Sequence, residues 1–407
     1  MTMRVMVIGG GVAGAAAAIA LRGIGADVTV YETNPDPAGA IGSFLSLAVN
    51  GLRGLERLGC LTTIQDAGIE VERQRLWSGT GKLLGDVPRG RLSGDTLHSV
   101  TLRRGDLVDR LRQQAQQAGA RIVTGHRLVE ATETERGVRA RFSTGAETTD
   151  GQSFVEAEGD LLLGADGIWS TTRRIIDPAA PSPTYAGLYS VSGVAEGVSI
   201  DPGVFNIVFA RAGAFLHLAA DDGRVWWSAQ VSDPVAPDLG AVELSSLSTL
   251  FRSEEVPAAI LRAATSLQRP TLEHVLAPVP TWHTARTALL GDAAHPVGAG
   301  QGASMAIEDA VVLAARLTGA STLEAGLADY VQARQARTAK MIKTASANRE
   351  AKTAGPIGRR VRDVVMPIVL RHFYERATGW LYTDPGFTVT SDRVRPAADA
   401  PPGPGRR

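Results

Sequence analysis

The apolar positions change their spacing along the chain, and each change marks an element. Val5-Met6-Val7-Ile8 is a continuous apolar run of strand length, the alanine-rich stretch to about Leu21 reads as a helix, and Asp27-Val28-Thr29-Val30-Tyr31-Glu32 reads as a second strand. Thr33-Asn34-Pro35-Asp36-Pro37 breaks that strand, and Gly39 and Gly42 are expected to keep the next loop mobile. A helix follows over 48–59 with Leu52, Leu55 and Leu58 on its apolar side. Short apolar runs between 71 and 87, broken by Gly79, Gly81 and Gly85, predict strands of a second sheet. Further on, the pattern predicts a helix over 101–118, a strand at 121–124, a hairpin over 126–142 turning at Glu135-Arg136-Gly137, a strand near Phe154 and a buried strand at 160–165. Strand patterns at 188–194, 205–210, 215–219 and 224–231, with a turn at Asp221-Asp222-Gly223, predict an antiparallel sheet. The rest reads as a mostly helical stretch at 244–267, a buried strand at 287–290, helices at 303–317 and 323–349, and a helical stretch at 356–373 interrupted at Pro367.

The first strand runs into Gly9-Gly10-Gly11-Val12-Ala13-Gly14, and the second ends on Glu32. Strand, G-x-G-x-x-G, helix, strand and acid is the order that makes a glycine pattern a dinucleotide site. Gly9 allows the tight turn, Gly11 lets the backbone approach a pyrophosphate, and Gly14 lets helix and strand close up. The free amides of the helix start at Val12 and Ala13 favour phosphate. Glu32 would accept hydrogen bonds from the adenosine ribose and repel a 2′-phosphate, so the tightly bound nucleotide is expected to be FAD or NAD.

Composition removes other classes. Lys plus Arg and Asp plus Glu number 42 each in 407 residues, so no general attraction to nucleic acid or acidic lipid is expected. The single cysteine, Cys60, excludes an internal disulfide framework and suits a cytoplasmic protein; its apolar setting reads as packing. There is no apolar run of about 18 residues and no leader before the first strand, so neither a membrane span nor secretion is expected. The composition of 391–407 reads as a disordered tail.

Two more motifs carry a resemblance. Asp166-Gly167-Ile168-Trp169-Ser170-Thr171-Thr172-Arg173 follows the strand at 160–165. Gly291-Asp292-Ala293-Ala294-His295-Pro296 follows the strand at 287–290, with Gly300-Gln301-Gly302 and Glu308-Asp309 after it. With the glycine loop, these make residues 4–385 resemble the single-component (class A) FAD-dependent aromatic hydroxylases and monooxygenases of the para-hydroxybenzoate hydroxylase fold. The resemblance implies an α/β protein with a three-layer, GR2-type Rossmann-like FAD-binding domain (1–72, 100–178 and 271–350), an antiparallel-sheet substrate domain (73–99 and 179–270) and a C-terminal helical cap (351–390). It also implies an Asp-Gly motif at Asp166 serving FAD and NAD(P)H, a Gly-Asp motif at Asp292, and a flavin-contacting arginine at Arg104. On physical grounds Asp292 ends a buried parallel strand and can accept from a ribityl hydroxyl, while the helix start at Gly300 and Gly302 can stabilise charge on a reduced flavin. Asp166 and Arg173 could instead form a structural ion pair, Glu308-Asp309 divide between structural and functional readings, and His295 reads as structural. In the family a longer loop separates the histidine from Gly-x-Gly. Here only Val297-Gly298-Ala299 stand between Pro296 and Gly300.

The implied reaction is hydride transfer from transiently bound NADH or NADPH to tight, non-covalent FAD. Molecular oxygen then gives a flavin hydroperoxide that hydroxylates or epoxidises an electron-rich small molecule. Alternation places Phe215 and His217 on one strand face and Trp226 and Trp227 on opposite faces, so the substrate candidates are Phe215, His217, Trp226, Trp227 and Ser46, the last in the apolar loop 42–47. His217 is the candidate catalytic base. A monomer or homodimer is expected. The alternatives are an FAD-dependent reductase of the geranylgeranyl-reductase type, a flavin-binding protein without oxygenase turnover, and a membrane-surface protein using 357–373; the Trp-x-Trp-x-Ile-Pro element of a flavin halogenase is absent.

Overall fold

The computed structural model describes residues 2–34, 43–148, 151–298 and 300–383. The loop holding Gly39 and Gly42, Ala299, residues 384–390 of the expected cap and the tail 391–407 lie outside the described residues.

A five-stranded parallel sheet forms the centre, in the order β19 (Thr287–Leu289), β12 (Leu161–Gly164), β1 (Arg4–Ile8), β2 (Asp27–Tyr31), β8 (Arg121–Val123). The two-residue period of β1 divides its side chains between two layers. Val5 and Val7 join a core built with α1 (Val12–Gly23), α4 (Arg104–Gln117) and α8 (Gly302–Gly319), whereas Met6 and Ile8 pack on Leu128, Val138, Ala140 and Phe142. The second group belongs to an antiparallel meander of β9 (Arg127–Thr134), β10 (Gly137–Thr148) and β11 (Gly151–Gly159). Helices, sheet and meander are the three expected layers.

An eight-stranded sheet makes the second body. Its main path is β17 (Ala264–Leu267), β13 (Thr184–Ala195), β16 (Val225–Ser232), β15 (Gly213–Ala219), β14 (Val204–Phe209), β5 (Arg73–Ser78), β6 (Leu83–Pro88), with β18 (Thr271–Val275) also on β13. It is antiparallel except where β5 pairs with β14. β18, which begins at the residue 271 expected to open the last part of the FAD-binding domain, pairs with β13 of this sheet. Its helix-facing side packs under α6 (Leu244–Leu250) and α7 (Glu255–Arg262), so only part of 244–267 is helical. A three-stranded sheet of β3 (Phe44–Leu47), β7 (Ser99–Arg103) and β4 (Ile69–Val71) lies between the two bodies. The helix expected from residue 101 therefore starts at Arg104. Ser99, Val100, Thr101 and Leu102 are buried in a central strand, the setting that favours β-branched residues over helix.

The remaining helices are α2 (Val49–Arg57), α3 (Leu61–Gln65), α5 (Thr171–Ile176), α9 (Leu323–Lys352) and α10 (Pro356–Tyr382). α10 runs through Pro367 without the expected interruption. Proline cannot donate to the carbonyl four residues back, and Lys82 Nζ donates to that carbonyl, Asp363 O, at 3.1 Å instead. Met366, Leu370 and Tyr374 seat α10 on Leu76, Leu84 and Val87, while Ile357, Val361, Val364 and Ile368 are exposed.

Candidate active site

All three motifs meet at the carboxyl end of the parallel sheet, where open α/β sheets bind ligands. Gly9 adopts φ +95°, and a Cβ there would stand 2.5 Å from Ala165 O. At Gly14 a Cβ would stand 1.9 Å from Gly9 O, so the loop can fold under its helix only with glycine at this position. Gly11 is the opposite case, with nothing within 4 Å on its Cβ side. The loop is thus closed toward the protein at two glycines and open outward at the third.

The Gly-Asp motif abuts the same helix start. Gly291 has φ +56°, and a Cβ on it would lie 2.9 Å from Ala13 Cβ. Arg173, buried behind the Asp-Gly motif, donates to Ala293 O at 2.9 Å and to Ile168 O at 2.6 Å, tying second motif to third. No ion pair joins Arg173 to Asp166 among the described residues. The strand-to-helix turn aims Asp166 at the free amides of α5, where it accepts from Thr171 N (2.8 Å), Thr172 N (2.9 Å), Ser170 Oγ (2.5 Å) and Thr172 Oγ1 (3.0 Å). Asp166 is therefore a helix cap whose carboxylate is engaged within its own turn.

Glu32 accepts from Gly10 N at 2.7 Å and Asn34 N at 2.8 Å, with Arg112 at 3.5 Å, which sets its carboxylate at the lip of the glycine loop. Asp292 is exposed by surface area yet deep in the protein. Burial raises its carboxyl pKa, His295 and Arg104 pull it down, and Asp309 pushes it up. Exposure together with desolvation describes a carboxylate on the floor of a narrow cleft. Arg104, at the start of α4, is exposed and faces this floor. Gly300 has φ +85° and nothing within 4 Å, and the one atom that near a Gly302 Cβ would be Asp292 Oδ1, at 3.6 Å. Gln301 Oε1 is buried at the head of α8 with no partner among the described residues. The residues fit FAD: open amides at two helix starts, a carboxylate beside each, and an unused acceptor between two unobstructed glycines.

Behind this floor stands an ionic cluster whose arginines the sequence did not reveal. Asp309 accepts from Gly291 N (2.9 Å), contacts His295 Nε2 (2.6 Å) and accepts from Arg334 Nε (2.7 Å). Glu308 accepts from Arg334 Nη1 (2.7 Å), Arg337 Nη2 (2.7 Å) and Asn50 Nδ2 (2.8 Å). Burial pushes the pKa of both acids up, but His295 and Arg334 around Asp309, and Arg334 and Arg337 around Glu308, hold both below the ordinary range. Glu308, Asp309 and His295 are structural anchors of the Gly-Asp motif.

The substrate candidates divide between the two faces of the eight-stranded sheet. Phe215 and His217 are buried against the helix layer, where Phe215 stacks on Trp227 at 5.7 Å and meets Phe251 at 5.4 Å. Burial lowers the His217 pKa to about 4, and its Nδ1 has no partner among the described residues. A neutral core histidine on the far face of the sheet is not placed to act as a base, and Phe215 and Trp227 are likewise core. Trp226 is on the cleft side, 6.1 Å from Phe44, with Arg103 over its ring. Ser46 is buried in the intervening sheet, bonded to Thr101 Oγ1 at 2.7 Å and to Arg89 Nη2 at 3.2 Å. The opposite face carries Phe205, Ile207, Leu216, Leu218, Trp226, Ser228 and Gln230, with Phe205 and Leu218 packed on Ile69 and Val71 of the three-stranded sheet. Composition held the signal that separates the faces. Val225, Trp227, Ala229 and Val231 are all apolar, as a face under helices must be, whereas Trp226, Ser228, Gln230 and Ser232 mix ring and polar groups as a ligand wall does.

A family model described as an FAD binding domain matches residues 2–345. Aurachin C monooxygenase/isomerase of Stigmatella aurantiaca is 30% identical over 345 residues, covering 82% of this chain and 86% of its own length. 3-Hydroxybenzoate 6-hydroxylase 1 of Aquipseudomonas alcaligenes is 30% identical over 373 residues, covering 84% and 87%. In fold, Klebsiella pneumoniae HpxO complexed with FAD and uric acid matches with a TM-score of 0.79 at 23% identity, over 96% of this chain and 98% of that one. The chain belongs to this FAD-binding family and is an FAD-dependent monooxygenase.

Proposed function

We propose that the enzyme oxygenates an electron-rich ring or alkene held between the cleft face of the eight-stranded sheet and the Gly-Asp floor. The observation that carries this is the meeting of the motifs, with Gly291 against Ala13 and Arg173 on Ala293 O, opposite a sheet face that mixes Leu216 and Trp226 with Ser228 and Gln230. Bound FAD supplies hydride acceptance from NADH or NADPH and delivery of one oxygen atom from molecular oxygen. The chain's residues hold and shield. The amides at Gly11, Val12 and Ala13 and the start of α1 receive the pyrophosphate, and Glu32 accepts from the adenosine ribose. Asp292 accepts from the ribityl chain, with Arg104 beside it. The α8 start at Gly300 and Gly302 offers amides to the pyrimidine edge. Asp166 supports the site through the α5 cap and the contact of Arg173 with Ala293.

The apolar side chains of Ile207 and Leu216, backed by the buried Phe205 and Leu218, keep water from the reacting edge, which limits loss of reductant as peroxide. Trp226 Nε1, buried and without a partner among the described residues, is a donor for an oxygen on the substrate. Among the described residues no helix is long and apolar enough to cross a membrane. A single cysteine suits a reducing compartment, and we place the protein in the cytoplasm as a monomer or homodimer. We further propose the division into an FAD-binding domain, a substrate domain and a C-terminal helical cap, with β18 assigned to the substrate domain.

The test is turnover. Incubation with NADPH or NADH, air and a panel of phenols, indoles and polyenes is expected to give a product heavier by one oxygen atom, labelled when the gas is isotopic oxygen. A reduced alkene formed without oxygen would refute the proposal.

A further inference from the structure

α10 has two apolar faces, and the fold uses one of them. Met366, Leu370 and Tyr374 seat the helix on Leu76, Leu84 and Val87. On the other side Ile357, Val361, Val364, Val365, Ile368 and Val369 follow one another at helical spacing, three and four residues apart, and so form a second row about three turns long. Ile357 is 78% exposed, Val364 64% and Ile368 55%, so this row stands in water. Neither packing nor local propensity accounts for it. β-branched residues are weak helix formers, and a helix face that touches nothing is better filled with Glu, Lys, Gln or Arg. A contiguous apolar row left in water marks a contact surface.

The charges beside the row are mostly of one sign. The whole chain balances 42 basic against 42 acidic residues, yet α10 holds five arginines and two acids. Both acids are engaged: Asp363 pairs with Arg362 at 2.9 Å, and Glu375 accepts from Ser93 N at 2.9 Å. Arg360, Arg371 and Arg376 form no ion pair among the described residues. Arg360 and Arg371 stand about three turns apart and therefore flank the row on the same side. Lys82, donating to Asp363 O at 3.1 Å, and Arg359, donating to Arg211 O at 3.1 Å, add positive charge where the helix meets the sheet.

This arrangement selects among occupants. A second copy laid on the row would set arginine against arginine whichever way it ran, with Arg360 beside its own equivalent in a parallel pair and beside Arg371 in an antiparallel one. Like charges without a free acid between them oppose that pairing. An apolar stripe rimmed by arginine, on a helix not apolar enough to cross a bilayer, suits the boundary between headgroups and acyl chains.

We propose that the outer face of α10 docks the enzyme on an anionic lipid bilayer, with Val361, Val364 and Ile368 entering the acyl boundary and Arg360, Arg371 and Arg376 meeting lipid phosphates. The long arginine stems let the charged heads stay at phosphate level while the shorter apolar side chains sink below it. Because the opposite face of the same helix rests on the eight-stranded sheet, docking holds that sheet against the membrane.

The test mixes FAD-loaded enzyme with sedimenting vesicles of equimolar phosphatidylglycerol and phosphatidylcholine, or of phosphatidylcholine alone, and reads the flavin in the pellet. At low salt the acidic vesicles are expected to bind the enzyme about tenfold or more tighter than the neutral ones, and added salt is expected to shrink the difference. Val364→Glu with Ile368→Glu alters exposed side chains only, so flavin content and melting temperature are expected to hold while binding falls about tenfold or more. Arg360→Gln with Arg371→Gln is expected to lose the preference for acidic vesicles, under the same checks on folding. Enzyme that stays in the supernatant with both vesicles overturns the proposal, as does binding that the glutamate variant leaves intact. Equal binding to acidic and neutral vesicles also overturns it, since the arginines would then contribute nothing. Should light scattering instead find a dimer that the glutamate variant dissolves, with vesicles unbound, the face is a self-interface and the proposal fails.

Discussion

His217 shows how one residue's surroundings decide its role. An unfolded chain takes up a proton on this imidazole as pH falls through the ordinary 6.5, while the folded protein resists until about 4. Its contribution to stability is therefore complete above pH 6.5 and lost progressively toward pH 4, by up to about 1.4 kcal/mol per pH unit. His217→Leu is expected to flatten that part of the urea-midpoint profile and to leave turnover unchanged; a collapse of kcat with an unchanged profile would restore the catalytic reading. Two glycines three residues apart make a second pair. Gly11→Val points into open space, so the apoprotein is expected to keep its melting temperature and lose its flavin. Gly14→Ala drives a methyl into Gly9 O, 1.9 Å away, and is expected to destabilise the fold by about 1–3 kcal/mol before flavin is considered.

Among elements, α8 and α9 carry the clearest prediction. Arg334→Met leaves Glu308 and Asp309 buried with less compensation, and removing one partner of a buried pair costs about 3–5 kcal/mol. Thermal melting should report that loss, and flavin affinity should fall with it because Asp309 also holds the Gly291 amide. Since both acids titrate below their ordinary range, their stabilisation is present above about pH 4 and disappears as pH falls through their lowered values. The same elements show what could be read beforehand. Strand, glycine loop and helix were legible because they are local in sequence and their periods are strong. Arg334 was not, because its partnership with Asp309 exists only after α9 folds back on α8. The last three residues of β7, from 101 to 103, were misread as helix because burial between two strands overrode the helical pattern that follows. For the pocket, alternation divides residues into two sets without saying which set meets the ligand, and Phe215 and His217 fall in the set packed under α6 and α7.

In the whole molecule, three motifs far apart in sequence, from Gly9 to Gly302, come together at the carboxyl end of the parallel sheet. The reading requires reduction of the flavin to depend on what fills the cleft, because only a ligand with different affinity for the reducible arrangement can shift its population. A true substrate is therefore expected to speed anaerobic bleaching of the flavin by NADH or NADPH. Bleaching equally fast with and without every compound that is oxygenated would contradict that control.

Strand β16 carries two interleaved tracks. One, Val225, Trp227, Ala229 and Val231, holds the sheet to its helices; the other, Trp226, Ser228 and Gln230, lies on the opposite face, proposed above to meet the substrate. Inheritance can alter the second track while leaving the first intact, so a lineage can wander in diet without risking collapse. Randomising the cleft track should return folded, yellow protein far more often than randomising the helix track, and the survivors should differ from one another in what they accept.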